Sequence, residues 1–204
     1  MNRPGLKKVS VVVGAVLIIL GIGWGVYVLS GDSGGEKVVL PLQFITARNN
    51  AAVVSKEIVD LANDTNRALK RAILLDSRDN YSQMLYLFDD ARKTNKEAYT
   101  KAFTLSQELQ SLAESLSGIS NLRTQRLAYD AVGTELSLVS EFIAYTRSVN
   151  EFLDTLTYAT PDEIQASTKK AEGLLFDISG GARKINELNA TFLEKMGEFD
   201  KSIQ

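Results

Sequence analysis

Residues 164–203 read IQASTKKAEGLLFDISGGARKINELNATFLEKMGEFDKSI, and their core-type positions recur in alternating steps of four and three. The stripe runs Ile164, Thr168, Ala171, Leu175, Ile178, Ala182, Ile185, Asn189, Phe192, Met196, Phe199 and Ile203. A repeat averaging 3.5 residues, sustained over forty positions, is the seam of a helix packed in a coiled-coil-like bundle.

The same period appears twice upstream. Ala47, Ala51, Val54, Ile58, Leu61, Thr65, Ala68, Ala72 and Leu75 form one stripe; Met84, Phe88, Ala91, Asn95, Ala98, Ala102, Leu105, Leu109, Leu112 and Leu116 form another. Between the second and fourth stretches, residues 122–156 carry two apolar stripes. One follows Leu122, Tyr129, Val132, Leu136, Val139, Ile143 and Leu153, the other Leu138, Phe142, Tyr145, Val149, Phe152 and Leu156. Together they cover more than the usual third of a helix surface, so this helix is either deeply buried or touches something outside its own domain.

Turn signals separate the four stretches at 76–79 (DSRD), 117–120 (SGIS) and 159–163 (ATPDE). In the last of these, Thr160 suits an N-cap, Pro161 the first helical position, and Glu163 the far side of a capping box. Short connections make consecutive helices antiparallel neighbours. The expected fold is all-α: an elongated up-down-up-down four-helix bundle over residues 41–204, about 50–60 Å tall at 1.5 Å per residue.

Toward the N-terminus, Val9–Leu29 reads VSVVVGAVLIILGIGWGVYVL, 21 residues without a charge. A helix of that length spans the roughly 30 Å hydrocarbon core of a bilayer. Arg3, Lys7 and Lys8 precede it, while Asp32, Glu36 and Lys37 follow it. The positive-inside bias then places residues 1–8 in the cytoplasm, residues 9–30 across the membrane and the bundle on the extracytoplasmic side. Residues 31–40, beginning Gly-Asp-Ser-Gly-Gly, read as a flexible spacer. A cleaved signal peptide ending near Ser30 shares the basic start, but the apolar run exceeds the roughly 7–15 residues of a signal core. Gly14, Gly21 and Gly25 share one face of this helix and offer a packing surface for a second membrane helix. Glycine is also common in membrane helices generally.

Composition removes several function classes. Residues 38–204 hold 19 Lys/Arg against 23 Asp/Glu, which is no footprint for nucleic acid. Cysteine and histidine are absent, so there is no disulfide frame, thiolate ligand, imidazole base or imidazole metal ligand. No phosphate-binding glycine loop or serine-nucleophile motif is found. Glu57, Asp60 and Asp64 share a helix face and could hold a hard cation, but Lys56 stands four residues from Asp60 and a solvated, salt-bridged face accounts for them. No catalytic residue, metal or cofactor is expected.

Two regions remain as candidates. Leu138, Phe142, Tyr145, Val149, Phe152 and Leu156 form a candidate partner face on the third helix. Asn95, Tyr99, Glu141, Gly180 and Gly181 form a candidate polar cavity, because counting from the turns brings Asn95 level with Glu141 and with a glycine pair that interrupts the fourth helix. Asn95, Asn150 and Asn189 fall in different layers, which suits polar residues that set register. The architecture is similar to the periplasmic bundles of bacterial chemoreceptors and to LemA-type anchored bundles. That likeness is one of fold and carries no residue across. The expected function is a non-enzymatic interaction or assembly subunit at the outer face of the membrane, with a protein partner or a second copy; the alternative is a sensor or solute-binding bundle with a small-molecule ligand.

Overall fold

A computed structural model of the protein describes residues 38–75, 80–157 and 164–203. They form four long helices: α1 (Leu42–Leu74), α2 (Tyr81–Ser115), α3 (Leu122–Thr157) and α4 (Ile164–Ser202), with a 3-10 turn at Leu116–Gly118 between α2 and α3. No strand occurs among the described residues. The turns at 76–79 and 158–163 lie outside them, as do residues 1–37, including the apolar run and its Gly14, Gly21 and Gly25 face. No helix among the described residues is long and apolar enough to cross a membrane.

Cross-helix pairs set the topology. Asn50 with Glu108 and Glu57 with Lys101 run α1 and α2 antiparallel. Asn95 with Thr146 and Arg92 with Asp154 do the same for α2 and α3; Glu151 with Lys170 and Glu141 with Lys184 for α3 and α4. Arg48 with Asp200 and Phe44 with Phe199 close the bundle between α1 and α4. The backbones approach most closely within the α1–α2 and α3–α4 hairpins.

The stripes on α1, α2 and α4 face inward. Met84, Phe88, Leu105, Leu109 and Leu112 of α2 are buried, as are Leu175, Ile178, Ile185, Phe192, Met196 and Phe199 of α4. On α3 the deep-burial alternative holds and the partner-face assignment does not. The stripe read as a partner face is the core: Leu138, Phe142, Tyr145, Val149 and Phe152 are buried and Leu156 is half-buried. On the other stripe Val132, Val139 and Leu153 are buried too and Leu136 and Ile143 are half-buried, with only Leu122 and Tyr129 exposed, so α3 buries most of both stripes. The reason lies in the small residues that extend the inward stripe, Ala128 and Ala131, both buried. They let α3 sit close to its neighbours, and the large rings above them then fill the centre.

The α2–α3 turn is capped by Asn121, whose Oδ1 accepts the backbone N–H groups of Arg123 (2.9 Å) and Thr124 (3.1 Å). Residues 38–40, expected as the end of the spacer, are instead seated on the bundle. Val38 and Leu40 pack against the core, and the Val39 N–H donates to Ser120 Oγ at 3.2 Å.

Candidate functional site

Polar pairs break the apolar interior at several levels, and three of them involve a buried ionic or amide side chain among the described residues. Near the start of α1, Arg48 lies 5.7 Å above the Phe199 ring and donates to Asp200 Oδ1 at 3.0 Å. Arg48 is buried because it stands four residues after Phe44 and three before Ala51, beside the core stripe. Higher up, Asn95 Nδ2 donates to the Thr146 carbonyl at 2.7 Å, and both residues are buried.

The third pair sits at mid-height and sequence reasoning missed it. Glu135 is only 4% exposed. Its Oε1 accepts the Ser55 hydroxyl at 3.4 Å. Both line a cavity of about 30 Å³ together with Asn189, Ile58, Phe142 and Phe192, so that all four helices contribute once Ala102 and Leu105 are included. The signal was available. Glu135 continues the inward stripe of α3 in steps of four and three, from Ala131 through Leu138 to Phe142. A charged residue in register with a core stripe is a buried charge, and burial of that kind requires hydrogen-bonding partners.

The expected polar cavity does not assemble as one site. Asn95 and Gly181 do reach the same turn of α3, Asn95 through the Thr146 carbonyl and Gly181 through Tyr145. They approach it from α2 and α4, on opposite flanks of α3. A β-carbon at Gly181 would stand 3.6 Å from Tyr145 Cβ, so that side chain fills the space beside the glycine pair. Glu141 is turned outward and pairs with Lys184 at 2.8 Å. Tyr99 is half-buried and meets the Phe103 ring edge-on at 5.0 Å. The glycine pair interrupts nothing: α4 runs unbroken through Gly180 and Gly181. Asn150 stands elsewhere on α3, its enclosed Oδ1 without a hydrogen-bond donor among the described residues.

The chain matches no protein-family model, no curated protein and no solved structure.

What the interior can do chemically follows from its size and its groups. A void of about 30 Å³ has room for roughly two water molecules bridging Ser55, Glu135 and Asn189, and is far too small for a metabolite. Among the described residues no three His, Cys, Asp or Glu side chains are grouped to hold a metal ion. The surface charges form short networks. Asp89 is held below the usual carboxylate range by hydrogen bonds from Lys93 and Arg92, and Arg92 also reaches Asp154 across to α3. These groups are solvated, and pairs of that kind fix side-chain geometry more than they stabilise a fold.

Tyr145 is different, because burial pushes its phenol well above the usual tyrosine range. The fold therefore favours the neutral phenol. That contribution is complete below a pH of about 10, the unfolded value, and is lost as pH rises through the folded value. In an alkaline titration followed at 295 nm, one phenol should ionise only as the helical signal at 222 nm collapses. Tyr145→Phe should remove that step. Ionisation of every tyrosine before helix loss would contradict the assignment.

Proposed function

We propose that this protein is a single-pass membrane-anchored helical bundle that acts by contact, as a non-enzymatic interaction or assembly subunit at the outer face of the membrane. The observation that carries the reading is Val9–Leu29, an uncharged apolar run of bilayer-spanning length behind Arg3, Lys7 and Lys8 and ahead of a bundle that carries its own complete core. An interior packed with Phe, Leu and Ala, whose mid-height void among the described residues holds about 30 Å³, suits a spacer or docking body better than a vessel for chemistry.

A partner would meet the outer surface, since the Phe142–Phe152 stripe is covered by the bundle itself. Tyr86, Phe103, Tyr129 and Phe176 are large rings left exposed on α2, α3 and α4 among the described residues. Exposed aromatic side chains supply contact area at low entropic cost, which is why such residues dominate interface energetics. The solute-binding alternative has the Ser55–Glu135–Asn189 void as its foothold, and that volume argues against any ligand larger than water.

The test uses the full chain in its native membrane. It should remain in the membrane after carbonate washing, with the bundle open to protease from the extracytoplasmic side only. A photo-crosslinking side chain at position 103 or 176 should capture a protein or a second copy. Release by carbonate would remove the anchor from the reading. A strict monomer with no adduct at positions 86, 103, 129 and 176 would remove the interaction role.

A further inference from the structure

Residues 38–41 form a strap across the α2–α3 turn. Beyond the packing of Val38 and Leu40 and the Val39–Ser120 bond, Pro41 lies directly on Gly118: a β-carbon there would stand 2.6 Å from Pro41 Cγ. A glycine at 118 is what lets the strap seat. The seating determines the end of the bundle at which the chain departs toward its N-terminus. That end is made of the strap, the starts of α1 and α3, and the last turn of α4, where Ser202 O accepts the Thr124 hydroxyl at 3.3 Å.

The apolar run ends at Leu29, so eight residues, 30–37, separate it from the strap. Fully extended they reach at most about 28 Å, roughly half the length of the bundle. On the anchored reading, the end carrying the strap is therefore the end held near the bilayer. This end also exposes an apolar cluster that the fold does not explain. Leu42 and Leu122, the first residues of α1 and α3, are each 77% exposed, and Val39 is 65% exposed. The Val39–Ser120 bond places Val39 beside the start of α3. Arg123, Arg126 and Lys201 are exposed around the cluster, alongside the carboxylates of Glu114 and Glu198. Small apolar groups at the tip with basic side chains behind them are what an interfacial surface needs: the first enter the headgroup boundary and the second meet phosphates.

We propose that this tip, centred on Val39, Leu42 and Leu122, rests in the lipid headgroup layer of the membrane that holds Val9–Leu29, so that the bundle stands on the bilayer. The inference rests on the anchored reading above. The occupant is lipid because the short connection keeps the tip within reach of the bilayer at all times.

The chain has no cysteine, so a nitroxide can be attached at one chosen site. The full chain is reconstituted in vesicles of phosphatidylethanolamine and phosphatidylglycerol, labelled as Leu122→Cys or as Leu74→Cys. Leu74 is 85% exposed near the opposite end. Collision rates with oxygen, which concentrates in lipid, and with a water-soluble nickel chelate then report depth. The expected ratio of oxygen to nickel collisions is several-fold higher at 122 than at 74. Gly118→Val, which unseats the strap, should bring the ratio at 122 down toward the value at 74 while the helical signal remains. Equal ratios at both positions, in protein that floats with the vesicles, overturn the proposal. A label at 122 shielded from both reagents also overturns it, in favour of a second copy covering the tip. Failure to float at all defeats the anchored reading, and this inference with it.

Discussion

Phe142→Asp unfolds the bundle instead of stripping a partner from it. The ring is 2% exposed, stacks on Tyr145 with centroids 6.1 Å apart, and lines the mid-height cavity beside Glu135. Removing a buried phenylalanine ring costs about 3–5 kcal/mol. Placing a second carboxylate next to a buried one, in surroundings of low dielectric, adds several kcal/mol more. The total approaches the whole stability of an ordinary domain, about 5–15 kcal/mol. Circular dichroism at 222 nm should show a broad, early melt or no folded baseline, and soluble yield should fall. Phe103→Asp, at a half-exposed ring on the outside, should melt close to the parent protein. If Phe142→Asp melted like the parent yet lost a bound protein, the stripe would be a docking face after all.

The second large effect has the opposite sign. Gly180→Ala combined with Gly181→Ala should stabilise the bundle. Both residues lie inside the continuous helix α4, where each glycine costs about 1 kcal/mol relative to alanine. A β-carbon at 180 meets no atom within 4 Å, and at 181 it falls into ordinary contact with Tyr145 at 3.6 Å. Nothing offsets the gain, so the pair should contribute about 2 kcal/mol. In a domain of this size that is a rise in Tm of roughly 4–8 °C. A thermal melt of the double variant checks it. An unchanged or lowered Tm would mean that α4 needs the flexibility of these glycines, and would return them to the list of functional candidates.

The two variants also show where sequence reasoning held and where it failed. Periodicity found every buried position of the α2 stripe, because a residue in a 3.5 repeat can face only one way once its neighbours are buried. Counting from the turns placed Asn95 level with Glu141 and the glycine pair of α4. The structure has Asn95 and Gly181 on one turn of α3, at Thr146 and Tyr145, about one turn beyond Glu141. On α3 periodicity could not choose between deep burial and an outside contact. Two apolar stripes fit either, and the bundle buries most of both. Glu135 and Arg48 were overlooked because charge suggests solvent, although both keep step with a core stripe.

By itself, then, the sequence determined four helices, their antiparallel order, the layers in which polar residues fall, and the apolar run on which the anchored reading depends. Each of these follows from spacing along the chain. Only the tertiary structure decided that α3 buries most of both its stripes, that Glu135 meets Ser55 at the centre, and that residues 38–41 are strapped onto Gly118. Those outcomes depend on how volumes from several helices fit together, Ala128 and Ala131 against their neighbours and Pro41 against a missing β-carbon. Spacing records the direction of a side chain, whereas the fit between surfaces brought together by folding is set by close packing in three dimensions.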